Sequence, residues 1–181
     1  MVTSATRVDP EEALRRVESA LGSRAQNLRL NFGHVDLFCR PSDLVAVVTE
    51  LRDNPQLGLR FFTFVTAVDR SEFADEPGGL EVLMHLYSPE HALHVNIHVP
   101  LDAEEPTCPS VTSLFKGADW HERETAEMFG IHFEGHPRLV NLYLPEDFEG
   151  HPLRRSFKIP TRLVKDWPGA KDPEEAAAGG R

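Results

Sequence analysis

The sequence has few of the residues that bind a metal cluster, form covalent cross-links or span a membrane. Its two cysteines, Cys39 and Cys108, are far apart and belong to no Cys-x-x-Cys pair. Neither a disulfide framework nor an iron–sulfur site is therefore predicted within the chain. Its apolar runs, at 57–68 and 80–86, are broken by polar residues well short of the roughly 18 residues that a membrane helix needs. The sequence predicts no membrane span.

Basic residues are also scarce. The chain has 19 Lys and Arg against 29 Asp and Glu, and its formal net charge of −10 repels the phosphates of a nucleic acid. It has no glycine-rich phosphate loop and no Gly-x-Ser-x-Gly motif, so a bound nucleotide and a serine nucleophile are not expected. Residues 1–9 lack the apolar stretch of a secretion signal, which predicts a protein that stays in the cytosol.

The apolar content is enough for one compact domain. Hydrophobic residues make up 40% and charged residues 27% of the 181 residues. Apolar residues at helical spacing predict a first helix over Pro10–Leu21 and a second over 44–51. Ser42 or Asp43 is the expected N-cap of the second helix.

Alternating apolar residues predict five strands. Two of them, at 28–32 and 35–39, form a hairpin around Gly33, and three more, at 59–68, 80–87 and 93–99, form an antiparallel meander. The expected fold class is α+β, a mostly antiparallel sheet with helices packed on one face, followed by an extended C-terminal tail.

One face of the last strand is polar. His94, Asn96 and His98 alternate with apolar residues, and His85 lies on the neighbouring strand. We interpret these side chains as an ordinary polar sheet surface, because no further metal ligand can be assigned to them.

The character of the chain changes after Pro106. Asp119 and Glu122 have the spacing of a capping box at the start of a short helix, and Gly130 suits its left-handed end. Beyond it, prolines are frequent and periodicity is lost, so the stretch is expected to be disordered or laid across another surface. We predict a globular domain over 1–130 and a partner-binding tail over 131–181.

A pentapeptide, Phe-Glu-Gly-His-Pro, occurs at 133–137 and again at 148–152. Each copy has the composition of a fixed turn with an exposed imidazole. Two interpretations stay open: both copies are structural turns, or both dock on a partner.

The stretch from Trp120 to Phe157 resembles the signature of the 30 kDa subunit of respiratory complex I, also called the C subunit of NADH-quinone oxidoreductase. The positions that carry the resemblance, and by it the expected partner interface, are Glu122, Arg123, Glu124, Phe129, Gly130, Gly135, His136, Pro137, Gly150, His151, Pro152, Leu153, Arg154 and Arg155. The chain departs from the family pattern at Glu127, where aspartate is usual, and at Arg138, Val140 and Asn141.

The resemblance implies a non-catalytic subunit that binds no cofactor itself, with FMN and iron–sulfur clusters in partner subunits. Its expected partners are a large hydrogenase-like quinone-site subunit and a small iron–sulfur subunit. It is expected to lie peripherally on the cytoplasmic side of the cell membrane. Arg154, Arg155 and Lys158 form a basic patch that we expect to dock on an acidic partner surface.

Two alternatives stay open. The chain could serve a membrane-bound hydrogenase-type relative of complex I, which resembles it in the same motifs. A different class is a free-standing metal-dependent hydrolase using His121, Glu124 and a strand histidine. The zincin spacing is missing, because position 125 is Thr125, and we expect Glu122, Arg123 and Glu124 to form salt bridges instead, either within the chain or across an interface.

Overall fold

The computed structural model of the chain describes residues 7–72, 78–102 and 104–159. The three helices are α1 (Pro10–Leu21), α2 (Leu44–Asp53) and α3 (Ala118–Phe129). The strands are β1 (Gln26–Asn31), β2 (His34–Phe38), β3 (Phe61–Asp69), β4 (Leu80–Ser88), β5 (Leu93–Pro100), β6 (Thr107–Pro109) and β7 (His132–Glu134). No helix in these ranges is long and apolar enough to cross a bilayer.

The first five strands form one mixed sheet in the order β1-β2-β5-β4-β3. The predicted hairpin and the predicted meander are both present and antiparallel. They are joined by β2 and β5, which pair in parallel, with Val35 opposite Val95. The α+β class and the mostly antiparallel sheet are confirmed.

The core lies between this sheet and the first two helices. Strand residues of one face, such as Val95 and Ile97, are buried with Val17 of α1 and Val47 and Leu51 of α2 in one apolar cluster. The two-residue period of a strand places the polar residues of β5 on the opposite face. That face is left to polar and aromatic side chains.

The ends of α1 and α3 show why they stop where they do. Asp9 accepts the Glu11 N–H at 3.0 Å and Pro10 occupies the first turn of α1, while Gly22 follows it with a φ of 55°. Gly130 ends α3 with a φ of 69°, in agreement with the predicted left-handed stop.

Asp43 is the N-cap of α2, as predicted, but its side chain makes no capping hydrogen bond, and the predicted capping box of α3 is wrong. A single turn of 3₁₀ helix, Pro41–Asp43, runs directly into α2, and the Asp43 carboxylate pairs with Arg40 at 2.8 Å. In α3 the N-cap is Gly117, and Asp119 already lies within the helix. Glu122 turns into the core instead of returning to a cap.

The packed part of the chain continues past Gly130, the predicted end of the globular domain. Strand β7 pairs in parallel with β6, with Phe133 opposite Cys108. Ile131 and Phe133 are each 2% exposed. The tail therefore begins as an integral strand before it turns back along α3.

Candidate functional site

The signature residues gather around α3. Residues 135–157, called the strap below, leave β7, run back along the helix and pass its C-terminal end. The strap is held at three levels of α3 by hydrogen bonds described in turn below. The surface on which this tail lies is therefore a helix of the same chain.

The first level is the His136 turn of the first pentapeptide. The His136 side chain is fully buried, and its Nε2 donates to the backbone carbonyl oxygen of Asp119, near the start of α3, at 3.3 Å. Its Nδ1 accepts the Arg138 N–H at 3.0 Å, which closes the turn. The expected exposed imidazole is wrong for this copy, because the ring packs against the helix.

The second level is formed by Arg123 and Glu127. Nε and Nη2 of Arg123 donate to the carbonyl oxygens of Val140 and Asn141 at 2.9 and 3.1 Å. The Glu127 carboxylate accepts the N–H groups of Leu142, Tyr143 and Leu144 at 2.9, 3.0 and 3.2 Å. Successive backbone N–H groups converging on one anion make a strong charge-assisted contact.

Glu127 was not recognised from the sequence as a structural anchor. Its hydrogen-bond partners are backbone N–H groups, and such partners leave no side-chain pattern in a sequence. The only available signal was its position in the signature, one helical turn after Arg123, on the helix side that the strap would have to follow.

The third level is the His151 turn of the second pentapeptide. Nδ1 of His151 donates to the Glu127 carbonyl oxygen at 2.8 Å. The ring lies against Gly130, where an added Cβ would stand 2.4 Å from Nε2. This imidazole is also docked rather than exposed, so both copies are structural turns that face α3.

The two arginines that follow make contacts within the chain. Nε of Arg154 donates to the Phe129 carbonyl oxygen, and its Nη2 lies 3.5 Å from the Gly130 carbonyl oxygen. The guanidinium thus lies at the C-terminal end of α3, where the helix dipole is negative. The Arg155 N–H donates to the Asp69 carboxylate at 2.9 Å, and its Nη1 pairs with Glu72 at 3.1 Å. Both arginines that we expected to dock on an acidic partner are thus engaged by the domain itself.

The surroundings of Asp69 favour the ionised carboxylate that accepts the Arg155 N–H. Burial alone would raise the pKa of its carboxyl, but hydrogen bonds from Ser71 and from the Arg155 backbone hold the pKa below its ordinary value. The carboxylate therefore stays ionised where the strap ends on β3.

Glu122 supports the helix from inside. Its carboxylate is fully buried and accepts the Val111 N–H at 2.7 Å. Burial raises its pKa, although that hydrogen bond acts in the opposite direction. Within the described parts of the chain, Glu122, Arg123 and Glu124 form no salt bridge, and a salt bridge across an interface stays a prediction.

The remaining signature residues shape the strap. Gly135 and Gly150 have φ values of 79° and 91°, which favour glycine at both turns. The Leu153 N–H donates to the Met128 carbonyl oxygen at 3.1 Å. Pro137 is exposed and Pro152 is half-buried. Glu124 lines a groove of about 220 Å³ between α3 and β3, beside Leu153.

Several of the exposed side chains in this region are apolar. Four of its side chains are more than half exposed: Trp120 at 62%, Tyr143 at 65%, Leu153 at 55% and Ile159 at 83%. Val140 and Phe148 are exposed to 45% and 39%. These six residues are called the apolar rim below. Apolar side chains with this much exposure on an ordered segment are candidates for an interaction surface.

The hydrolase alternative finds no support in this geometry. The His121 ring packs edge-on against Phe62. Within the described residues, the one group of three potential metal ligands is His34, His85 and His94, which contains neither His121 nor Glu124. Burial raises the pKa of Cys39 to about 12 and also raises that of Cys108, which keeps both thiols protonated.

Residues 37–162 match the family described as respiratory-chain NADH dehydrogenase, 30 Kd subunit. The chain belongs to this family. The match spans α2, strands β3 to β7, α3 and the strap, so the resemblance seen in the signature is confirmed over most of the chain.

Members of the 30 kDa subunit family from several bacteria are similar to this chain. The C subunit of NADH-quinone oxidoreductase from Roseiflexus sp. (strain RS-1) is 37% identical over 152 residues, which cover 84% of this chain and 86% of that protein. The C subunit from Methylorubrum extorquens (strain PA1) is 38% identical over 156 residues, 84% of this chain and 69% of its own length.

Solved structures agree with the 30 kDa subunit fold. A trypsin-resistant fragment (1-134) of Nqo5 superposes with a TM-score of 0.59 at 26% identity, covering 70% of this chain and 99% of the fragment. A chain of the membrane-bound sulfane sulfur reductase, an archaeal respiratory membrane complex, superposes with a TM-score of 0.70 at 19% identity. It covers 90% of this chain and 96% of its own length, and shows that the fold is shared.

We predict that Glu127→Ala loosens the strap without unfolding the sheet. The change leaves three backbone N–H groups without their anion, and each lost bond to a charged group costs about 1.5–3 kcal/mol. Limited trypsin digestion of the purified chain should cleave after the exposed Arg138 at least about 10-fold faster. Glu146→Ala, at an exposed strap carboxylate, is the matched control, and an unchanged cleavage rate in Glu127→Ala would contradict the anchoring role.

Gly130 and His151 are predicted to be energetically coupled. Gly130→Ala introduces a methyl group at the His151 ring and a side chain at positive φ, and should destabilise the chain by about 1–3 kcal/mol. In a His151→Ala background the clash is gone, so the same substitution should cost about 1 kcal/mol less. Urea unfolding of the four proteins measures this, and strictly additive effects would count against contact between the two residues.

Proposed function

We propose that this chain is a non-catalytic subunit of an NADH-quinone oxidoreductase that positions the quinone-site subunit in the peripheral arm. As a member of the 30 kDa subunit family it works as part of a hetero-oligomer. The whole complex transfers electrons from NADH to a quinone, coupled to proton translocation. In this proposal electrons pass through FMN and iron–sulfur clusters held by other subunits.

The observation that carries the proposal is the apolar rim. The strap docks on α3 through its backbone, which the Arg123 and Glu127 side chains of the helix contact, and through its own Arg154 side chain. It thereby leaves Tyr143, Leu153 and the other rim residues facing outwards. Aromatic and apolar side chains on a rigid support are the residues that contribute most binding energy at protein interfaces.

The contacts of the two strap arginines also favour docking through the apolar rim. Because the guanidinium groups of Arg154 and Arg155 are engaged within the chain, the contact with a partner does not depend on basic residues reaching across. We propose that the rim packs on the large hydrogenase-like quinone-site subunit, with the small iron–sulfur subunit nearby. Through these partners the chain would lie peripherally on the cytoplasmic side of the cell membrane.

A membrane-bound hydrogenase-type assembly is the alternative setting for the same subunit. The sulfane sulfur reductase chain shares the fold, but the relatives with similar sequences are named for NADH-quinone oxidoreductase. These relatives therefore favour the quinone-linked enzyme. The identity of the co-purified subunits separates the two settings.

The proposal predicts that Tyr143→Ser together with Leu153→Ser prevents assembly. Both side chains are more than half exposed, so the isolated chain should melt within about 2 °C of the wild type. Recovery of the large subunit on a tagged copy of this chain, purified from native membranes, should fall at least about 10-fold.

The matched control is Phe32→Ser, which removes an apolar residue that is 97% exposed at the tip of the β1–β2 turn, away from the rim. It should leave assembly unchanged. Normal assembly and NADH:quinone activity in the Tyr143/Leu153 variant would refute the rim as the docking surface.

A further inference from the structure

Three histidines meet on the sheet face opposite α1 and α2. His34 begins β2, His85 lies in the middle of β4, and His94 lies near the start of β5 between them. One ring nitrogen of each comes within 4.8 Å of the others. Since β2 pairs with β5 and β5 with β4, the sheet itself places three imidazoles from distant parts of the sequence side by side.

The distances within this cluster suit a shared ion. Nδ1 of His94 and Nε2 of His85 are 3.2 Å apart. Two nitrogens bound to one tetrahedral zinc at 2.0–2.1 Å stand about 3.3 Å from each other. His34 lies at the half-exposed start of its strand, beside Gly33, where its ring can shift the small distance needed to complete the set.

Stacking alone is the simpler explanation of the cluster. The His94 ring stacks on the His34 ring with 4.5 Å between the ring centroids, and the His85 ring stacks on the Phe64 ring with 5.7 Å between theirs. Stacking leaves the polar atoms unsatisfied, however. Among the described residues, the contact between His85 and His94 is the only hydrogen bond of these three rings, and the buried Nδ1 of His85 has no partner. An ion would use the lone pairs of His85 Nε2 and His94 Nδ1 together, whereas in the contact between these two atoms one nitrogen must donate a proton to the other.

The surroundings select the kind of ion. No carboxylate belongs to the cluster in the described part of the chain, and Arg7 lines the adjacent cavity of about 280 Å³. Hard cations such as Mg²⁺ and Ca²⁺ require oxygen ligands, whereas imidazole suits Zn²⁺ and its neighbours.

We infer that His34, His85 and His94 form a three-histidine site for a borderline transition-metal ion, Zn²⁺ above all, with solvent completing the coordination through the adjacent cavity. Such an ion would tie β2, from the hairpin, to β4 and β5, from the meander. Its role is structural, because it would fasten the one parallel pairing of the sheet.

The test uses the full chain without an affinity tag, stripped with EDTA and titrated with zinc chloride by calorimetry. We expect one equivalent to bind and the melting temperature to rise by roughly 5 °C at saturation. Cobalt(II) chloride, added to the same protein, should give the intense visible bands of a tetrahedral site. A wild-type chain that takes up no stoichiometric zinc would overturn the inference.

Two variants show whether the cluster is the site. His85→Phe removes the ligand at a buried position but keeps an aromatic ring against Phe64. His34→Gln removes a ligand at a half-exposed position, so it tests the site even if His85→Phe does not fold. Each should weaken zinc binding at least about 10-fold and abolish the cobalt bands. His132→Gln, at an exposed histidine of β7, should bind zinc like the wild type. Undiminished binding in His34→Gln and in folded His85→Phe would also overturn the assignment.

Discussion

The carboxylate of Glu127 accepts hydrogen bonds from three successive backbone N–H groups of the strap, and the course of the whole signature segment follows from that contact. No apolar residue of the strap is fully buried, although Leu139 packs against the core, so the hydrophobic effect orders the strap less than it orders the sheet. A buried anion on α3 fixes its middle instead. His136 and His151 hold the strap on either side of this contact, each through a hydrogen bond to a backbone carbonyl oxygen of the same helix.

This arrangement separates the polar and apolar sides of the segment. The backbone and charged groups of the strap form hydrogen bonds with α3 and with Asp69, and the apolar side chains of the rim face away from the domain. A partner that covers the rim finds it already ordered, so less conformational entropy is lost on binding than for a disordered tail. The subunit thus supplies a prepared surface, consistent with a positional role in a larger enzyme.

The local features of the fold could be predicted from the sequence, and the non-local ones could not. Helical spacing and Pro10 indicated the bounds of α1, and Gly130 marked the end of α3, because caps act on adjacent residues. The parallel pairing of β2 with β5 joins strands some 60 residues apart and has no local signal. The three-histidine cluster depends on that pairing, which explains why His34 could not be assigned to it. His136 and His151 were expected to be exposed because nothing in a turn motif reveals the helix against which it packs.

The arginines illustrate the same limit. Arg154 and Arg155 were expected to form a basic patch for an acidic partner, and the structure places them on the carbonyl end of α3 and on Asp69. A charge pattern shows that an opposite charge or dipole is needed, but not which chain provides it.

Hydrogen–deuterium exchange of the isolated full chain tests the central claim most directly. If Glu127 orders the strap without a partner, the amides of Leu142, Tyr143 and Leu144 exchange slowly, although the residues around them are exposed. Exchange of these three amides at the rate of an unstructured peptide would show that the strap does not dock on α3 by itself, and would contradict the account.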